Sequence, residues 1–238
     1  MTWSIVARDH ETGAIGIAVA TRFFAAGALV PHIDPDAGAL ATQALTNPTY
    51  GARGLRLLRD GASAEDVVRG LTAPDPGASQ RQLHVMDRTG SFAAHTGADC
   101  VGWCGHLIGD GFSVAGNMLT GPAVIDATAA TFQAHALLPF ARRLIEAMKA
   151  GEAAGGDKRG RQSAALVIHT TEDYPALSLR VDDHSDPLAE LDRLERVSHE
   201  RYVHFARFFA TKADPVGGID RDAINAAIAE AVAREAER

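Results

Sequence analysis

The stretch Thr2-Trp3-Ser4-Ile5-Val6-Ala7-Arg8 is β-rich from its first residue. The acidic, glycine-containing segment Asp9-His10-Glu11-Thr12-Gly13 turns it back into a second apolar run, Ala14 to Arg22. Side chains alternate across a strand, so Trp3, Ile5 and Ala7 share one face and Thr2, Ser4, Val6 and Arg8 the other. The second run sorts by size: Ile15, Ile17, Val19 and Thr21 point one way, and Ala14, Gly16, Ala18, Ala20 and Arg22 the other. A face of such small residues lets another layer, or a ligand, approach closely. Thr2 opens the hairpin. If the initiator Met1 is trimmed, its hydroxyl and a free α-amine belong to one residue, a nucleophile carrying its own base.

The bulk properties narrow the field. A chain of 238 residues suffices for one domain, or for one domain with a helical appendix. Its 30 acidic and 23 basic residues argue against a nucleic-acid or anionic-membrane surface. Two cysteines, Cys100 and Cys104, cannot build a disulfide framework. No apolar run reaches the roughly 18 residues of a membrane helix. Arg8, Asp9 and Glu11 arrive too early for a signal peptide. The expectation is a soluble cytoplasmic protein.

Further along, Ala26–Ile33 and Gly38–Leu45 read as strands. Asn47-Pro48 signals a helix start, with Asn47 as cap and Pro48 at the first helical position. Ser63 and Asp66 have capping-box spacing at the head of a second helix. Strands are expected at 82–87, 91–95, 101–107 and 112–119. A long helix follows from Thr120-Gly121-Pro122 through Leu137, kinked near Pro139, and resumes over 140–150. After the glycine-rich loop 151–160 come strands at 163–170 and 176–181. Amphipathic helices at 187–209 and 221–235 finish the chain. Paired strands on either side of paired helices predict an α+β fold, a four-layer αββα sandwich with two additional C-terminal helices. The domain expectation is a sandwich over 1–184 and a helical extension over 185–238, packed on that domain or at a subunit interface. Leu188, Leu191, Leu194, Tyr202, Phe205 and Phe209 at helical spacing suggest a homo-oligomer, a dimer first.

Several residues carry candidate chemistry. Thr2 is the nucleophile. An α-amine titrates near about pH 8, so a useful fraction is neutral and takes the hydroxyl proton. Ser4, on the same face, is placed to hydrogen-bond that amine. No lysine precedes Lys149, so Arg8 or Arg22 must supply nearby positive charge. Gln43, Asn47 and Tyr50 lie at a strand-to-helix junction, where amides serve a developing oxyanion or orient a substrate. Asn47 is equally well explained as a cap. Asn117 is an amide among apolar neighbours and must find partners. The loop Gly155 to Ser163, with Asp157, Arg159, Gln162 and Ser163, suits recognition of a carboxylate or phosphate. Read without function, it is a helix stop with solvated charges. Cys100, Cys104, His84, His95 and His106 fit no regular metal spacing. Asp182-Asp183-His184-x-Asp186 reads best as the cap of the following helix. No metal and no cofactor is called for.

Four segments carry a resemblance: SIVARD at 4–9, ATQALTNPTYG at 41–51, GNMLTGPAVIDA at 116–127 and AGGDKRGRQSAAL at 154–166. Together they are similar to a bacterial and archaeal domain family of unknown function grouped with the N-terminal-nucleophile hydrolases. The opening hairpin itself resembles the mature start of threonine-type members such as γ-glutamyltransferases and proteasome β-subunits. The resemblance implies the αββα sandwich and, by analogy, hydrolysis of a small amide or peptide-like substrate through a threonine acyl-enzyme. The competing expectation is a non-catalytic binding or scaffold protein that kept the fold and retains its initiator.

Overall fold

A computed structural model describes residues 2–236. The first hairpin is β1 (Thr2–Arg8) and β2 (Ile15–Thr21), paired antiparallel from Thr2–Thr21 to Arg8–Ile15. It sits in the middle of a six-stranded antiparallel sheet. β8 (Phe112–Leu119) and β7 (Trp103–Gly109) lie beyond β1, and β9 (Ser163–His169) and β10 (Leu177–Val181) lie beyond β2. A second antiparallel sheet runs β3 (Pro31–Asp34), β4 (Gly38–Ala44), β5 (Arg81–Asp87), β6 (Phe92–Thr96). The helices are α1 (Thr49–Arg59), α2 (Ala64–Thr72), α3 (Ala123–Ala134), α4 (Phe140–Ala153), α5 (Pro187–Ser198), α6 (Tyr202–Phe205) and α7 (Arg221–Ala236). The class is therefore α+β, with two antiparallel sheets and, among the described residues, seven α-helices.

The size-sorted faces of β2 explain how it is covered. Ile15, Ile17 and Val19 join Val6, Ala39, Ala41 and Met86 in one buried cluster that draws on both sheets. The small face turns toward α4: a Cβ built on Gly16 would lie 2.6 Å from Leu144 and 2.8 Å from Phe140. Gly16→Val is expected to lower stability by about 1–3 kcal/mol, because α4 must shift to admit it. A denaturant midpoint unchanged by this substitution would show that α4 is not seated as described. On the second sheet, α1 packs against β4 and α2 against β5 and β6. Ser63 caps α2 by accepting the Asp66 N–H at 3.1 Å, as its spacing predicts.

Local structure departs from the sequence reading in four places. The expected strand over 26–33 is a 3-10 turn at Ala26–Ala28 followed by the short β3, because Ala25 takes a left-handed backbone with φ of 52°. The helix through Pro139 is two helices: α3 ends at Ala134, Leu137 is fully exposed, and Pro139 is the extended residue that starts α4. The span 187–209 breaks after Ser198, where Arg201 leaves helical geometry. α1 begins one residue past the expected place. Asn47 still serves its start, accepting the Thr49 N–H at 3.1 Å.

The chain divides into two compact units between Leu191 and Asp192, a point inside α5. The first holds both sheets and α1 to α4; the second holds α6 and α7. Asp186 caps α5, receiving the Ala189 N–H at 3.2 Å. Among the described residues no helix is long and apolar enough to cross a membrane.

Candidate active site

Paired residues of neighbouring antiparallel strands point to the same face. Asn117 on β8 pairs with Thr2 on β1, Thr2 with Thr21 on β2, and Thr21 with Ser163 on β9. These four polar residues form a row across one end of the six-stranded sheet. The row shares its face with Ser4, whose hydroxyl reaches across to the second sheet. Thr2 is buried, 7% exposed, and its hydroxyl donates to Thr21 Oγ1 at 3.1 Å.

Behind the row lies a buried polar network in which each donor finds one acceptor direction. Ser4 Oγ donates to Gln43 Oε1 at 2.7 Å. His84 Nε2, 2.9 Å from Ser4 Oγ, must therefore donate to it. His84 Nδ1 then accepts from Ser113 Oγ at 3.1 Å, which fixes a single neutral tautomer. Burial, and secondarily the charge of His106, pushes the His84 imidazole down to about 3. Gln43 Nε2 donates to Gln82 Oε1 at 2.8 Å and to Ala115 O at 3.1 Å, and lies 3.4 Å from Thr2 O. Asn117 Nδ2 donates to Gln82 Oε1 at 3.0 Å and to Thr2 O at 3.3 Å. Two side-chain amides thus converge on the carbonyl of residue 2. Satisfied networks of this kind fix position, since any slip would strand a buried polar group.

The other sequence-derived candidates divide sharply. Arg8 stands at the far end of β1, six residues or about 20 Å of strand from Thr2. Its guanidinium donates to Arg88 O at 3.3 Å, so it does not serve this end of the sheet. Asn47 and Tyr50 are engaged elsewhere: both donate to Asp75 Oδ2, at 3.3 and 2.7 Å, and Arg81 Nε joins them at 3.1 Å. The Tyr50 hydrogen bond, above all, holds the Asp75 carboxyl well below the usual range. Tyr50→Phe is expected to lower the melting temperature by several degrees, about 1–2 kcal/mol, by leaving Asp75 short of a donor. Ser4 faces Gln43 and His84 rather than the start of its own strand.

Arg22, one residue past Thr21, does lie beside the row. Its backbone N–H is held by the buried Asp157 Oδ2 at 2.8 Å and its guanidinium reaches Arg159 O at 3.4 Å. Asp157 also takes the Arg159 N–H at 2.8 Å and an ion pair from Arg159 Nη2 at 3.2 Å. Ser163 Oγ donates to Phe23 O at 2.6 Å and accepts from Ala26 N at 3.2 Å. Gln162 Nε2 donates to Asp183 at 3.1 Å. Asp157, Gln162 and Ser163 thus shape the loop, and Arg22 is left facing outward. Among the described residues no group of three His, Cys, Asp or Glu side chains is placed to hold a metal ion.

The sequence reading weighs His84 only as a metal candidate and passes over Gln82 and Ser113. A signal existed: Gln82 and His84 alternate with Leu83 and Val85, a polar face on a central strand. Alternation alone cannot say that this face turns inward, because the covering sheet comes from distant sequence.

Two antiparallel sheets meeting over a buried amide–histidine network, with a polar row at one end, define the class of protein. Over residues 2–191 the chain matches the family described as "Family of unknown function (DUF1028)", and it belongs to that family. That match ends where the first compact unit ends. Among solved structures, a protein of the same family from Silicibacter pomeroyi is 35% identical, with a TM-score of 0.86 over 92% of this chain and 96% of that one. Anbu (ancestral beta-subunit) from Yersinia bercovieri is 11% identical, with a TM-score of 0.39 over 82% of this chain and 94% of that one. No curated protein matches the chain.

Proposed function

We propose that this chain is an N-terminal-nucleophile amidohydrolase on a four-layer αββα framework, acting on a small amide or peptide-like substrate. The layering is supported by α3 and α4 packing on the first sheet and α1 and α2 on the second. One observation carries the chemistry: Gln43 and Asn117 both aim amide donors at the carbonyl of Thr2, locking residue 2 at the end of its strand. With Met1 removed, Thr2 Oγ attacks the substrate carbonyl carbon while the α-amine takes the hydroxyl proton. That proton passes to the leaving nitrogen as the C–N bond breaks, leaving an ester on Thr2. Water, deprotonated by the same amine, then cleaves the ester and restores the hydroxyl. Arg22 holds the substrate.

A second reading, a binding protein without catalysis, draws on a separate observation. The amide groups expected to serve an oxyanion are engaged: Gln43 and Asn117 donate within the network. Intact-mass measurement on protein from the native host separates the two, since a fully retained initiator blocks the base. Hydrolysis of N-acyl amino acids, small peptides and cyclic amides by wild type and Thr2→Ala completes the test.

A further inference from the structure

We infer that the substrate is a short peptide carrying both end charges, its ammonium at Asp99, its carboxylate at Arg22 and its scissile carbonyl between them at Thr2. This assignment rests on the reading of Thr2 as nucleophile and adds the substrate's charge pattern.

Asn117, the β8 partner of Thr2, lines a cavity of about 210 Å³ together with Ala44, Leu45, Asp99, Val101 and Met118, among others. Asn117 is common to this cavity and to the site, since its amide donates to Thr2 O. Leu45 and Val101 present apolar side chains that are 56% and 61% exposed. An apolar substrate side chain would cover them. Ala44 and Met118 hold left-handed backbones, with φ of 71° and 53°. Such conformations cost about 1–3 kcal/mol each at non-glycine residues and gather at ligand sites. Both residues line the cavity, at the ends of β4 and β8. The Asp99 backbone N–H donates to Ser79 O at 2.7 Å, and its exposed carboxylate makes no ion pair among the described residues. Lys158, whose ammonium stands against Gly102, makes no ion pair with it. A carboxylate beside an apolar wall recognises an ammonium attached to an apolar residue.

The opposite flank carries the complementary charge. Arg22 lines a cavity of about 570 Å³ with Arg161, Gln162, Asp183 and His184. Arg161 is paired to Glu152 and Asp186, at 2.6 and 2.8 Å, and Asp183 accepts from Gln162. Among the described residues Arg22 is the guanidinium of this cavity that makes no ion pair. β8 and β2 lie on either side of β1, so Thr2 stands between the strand that carries Asn117 and the strand end that carries Arg22.

The test uses di- and tripeptides beginning with Leu, Met or Phe, each free, N-acetylated, C-amidated or doubly blocked. Wild-type kcat/KM is expected to fall about tenfold or more for each blocked end. Asp99→Asn should abolish discrimination against N-acetylation and keep that against C-amidation. Arg22→Gln should do the reverse. Binding of the same panel to Thr2→Ala is followed by calorimetry. Turnover indifferent to blocking would overturn the inference and leave the hydrolase reading standing. Charge-selective binding without wild-type turnover would remove the hydrolase reading and uphold the charge pattern. Neither binding nor turnover would overturn both.

Discussion

Thr2→Ala is expected to lower kcat/KM for amide hydrolysis by about 10³-fold or more while leaving the protein folded. In the proposed mechanism one atom, Thr2 Oγ, forms the bond to substrate, and the two neighbouring hydroxyls, on Ser4 and Thr21, are not placed to replace it. Ser4 Oγ is on the same face but donates to Gln43 and accepts from His84, inside the network. Thr21 Oγ1 lies 3.1 Å away, on a residue with no α-amine of its own to act as base. Structurally the substitution removes one hydrogen bond at a buried position, a loss of about 1 kcal/mol. A small shift in melting temperature should therefore accompany a collapse in rate. Thr2→Ser, which keeps hydroxyl and amine together, should retain measurable turnover. An alanine variant as active as wild type would remove Thr2 from the chemistry.

The second large effect concerns stability in acid. His84 is neutral, fully buried and held between Ser4 and Ser113, with its imidazole pushed down to about 3. An unfolded histidine titrates near about 6.5, so the unfolded chain binds a proton that the folded one refuses. The stabilisation is complete above about pH 6.5 and is lost as pH falls toward 3, at about 1.4 kcal/mol per pH unit. Between pH 6.5 and 4 the expected loss from this residue is about 3 kcal/mol. His32, His106 and His169 are also lowered, chiefly by burial, and carboxylates such as Asp87 add their own dependence at lower pH. The difference between variants isolates His84. His84→Gln keeps a donor toward Ser4 and an acceptor toward Ser113 without titrating. Its urea midpoint should be lower at pH 7 and should fall less between pH 7 and 4. Parallel pH profiles for the two proteins would show that His84 is not the acid-labile group.

Much of the fold is legible locally because its cues are local. The hairpin 2–22 follows from alternation, an acidic glycine turn and size sorting, and each cue acts over a few residues. Ser63 and Asp66 cap α2 because capping needs only a hydroxyl and an N–H three residues on. Pro139 misleads because proline both kinks helices and begins them; the exposed Leu137 shows the first helix had already ended. Arg8 misleads differently. Alternation gives its face correctly, yet residues on one face of a strand are spread along its length, and Arg8 belongs to the other end.

By itself the sequence determined that residue 2 begins a strand, which faces that strand presents, and where the main helices start, since these depend on backbone preference and neighbouring side chains. Only the tertiary structure decided what those faces meet. Ser4 finds Gln43 and His84 at separations of 39 and 80 residues, and Asn117 finds Thr2 across 115. A buried polar group takes whichever partner the packed sheets bring within 3 Å or so, and that pairing is set by long-range register rather than by any local pattern.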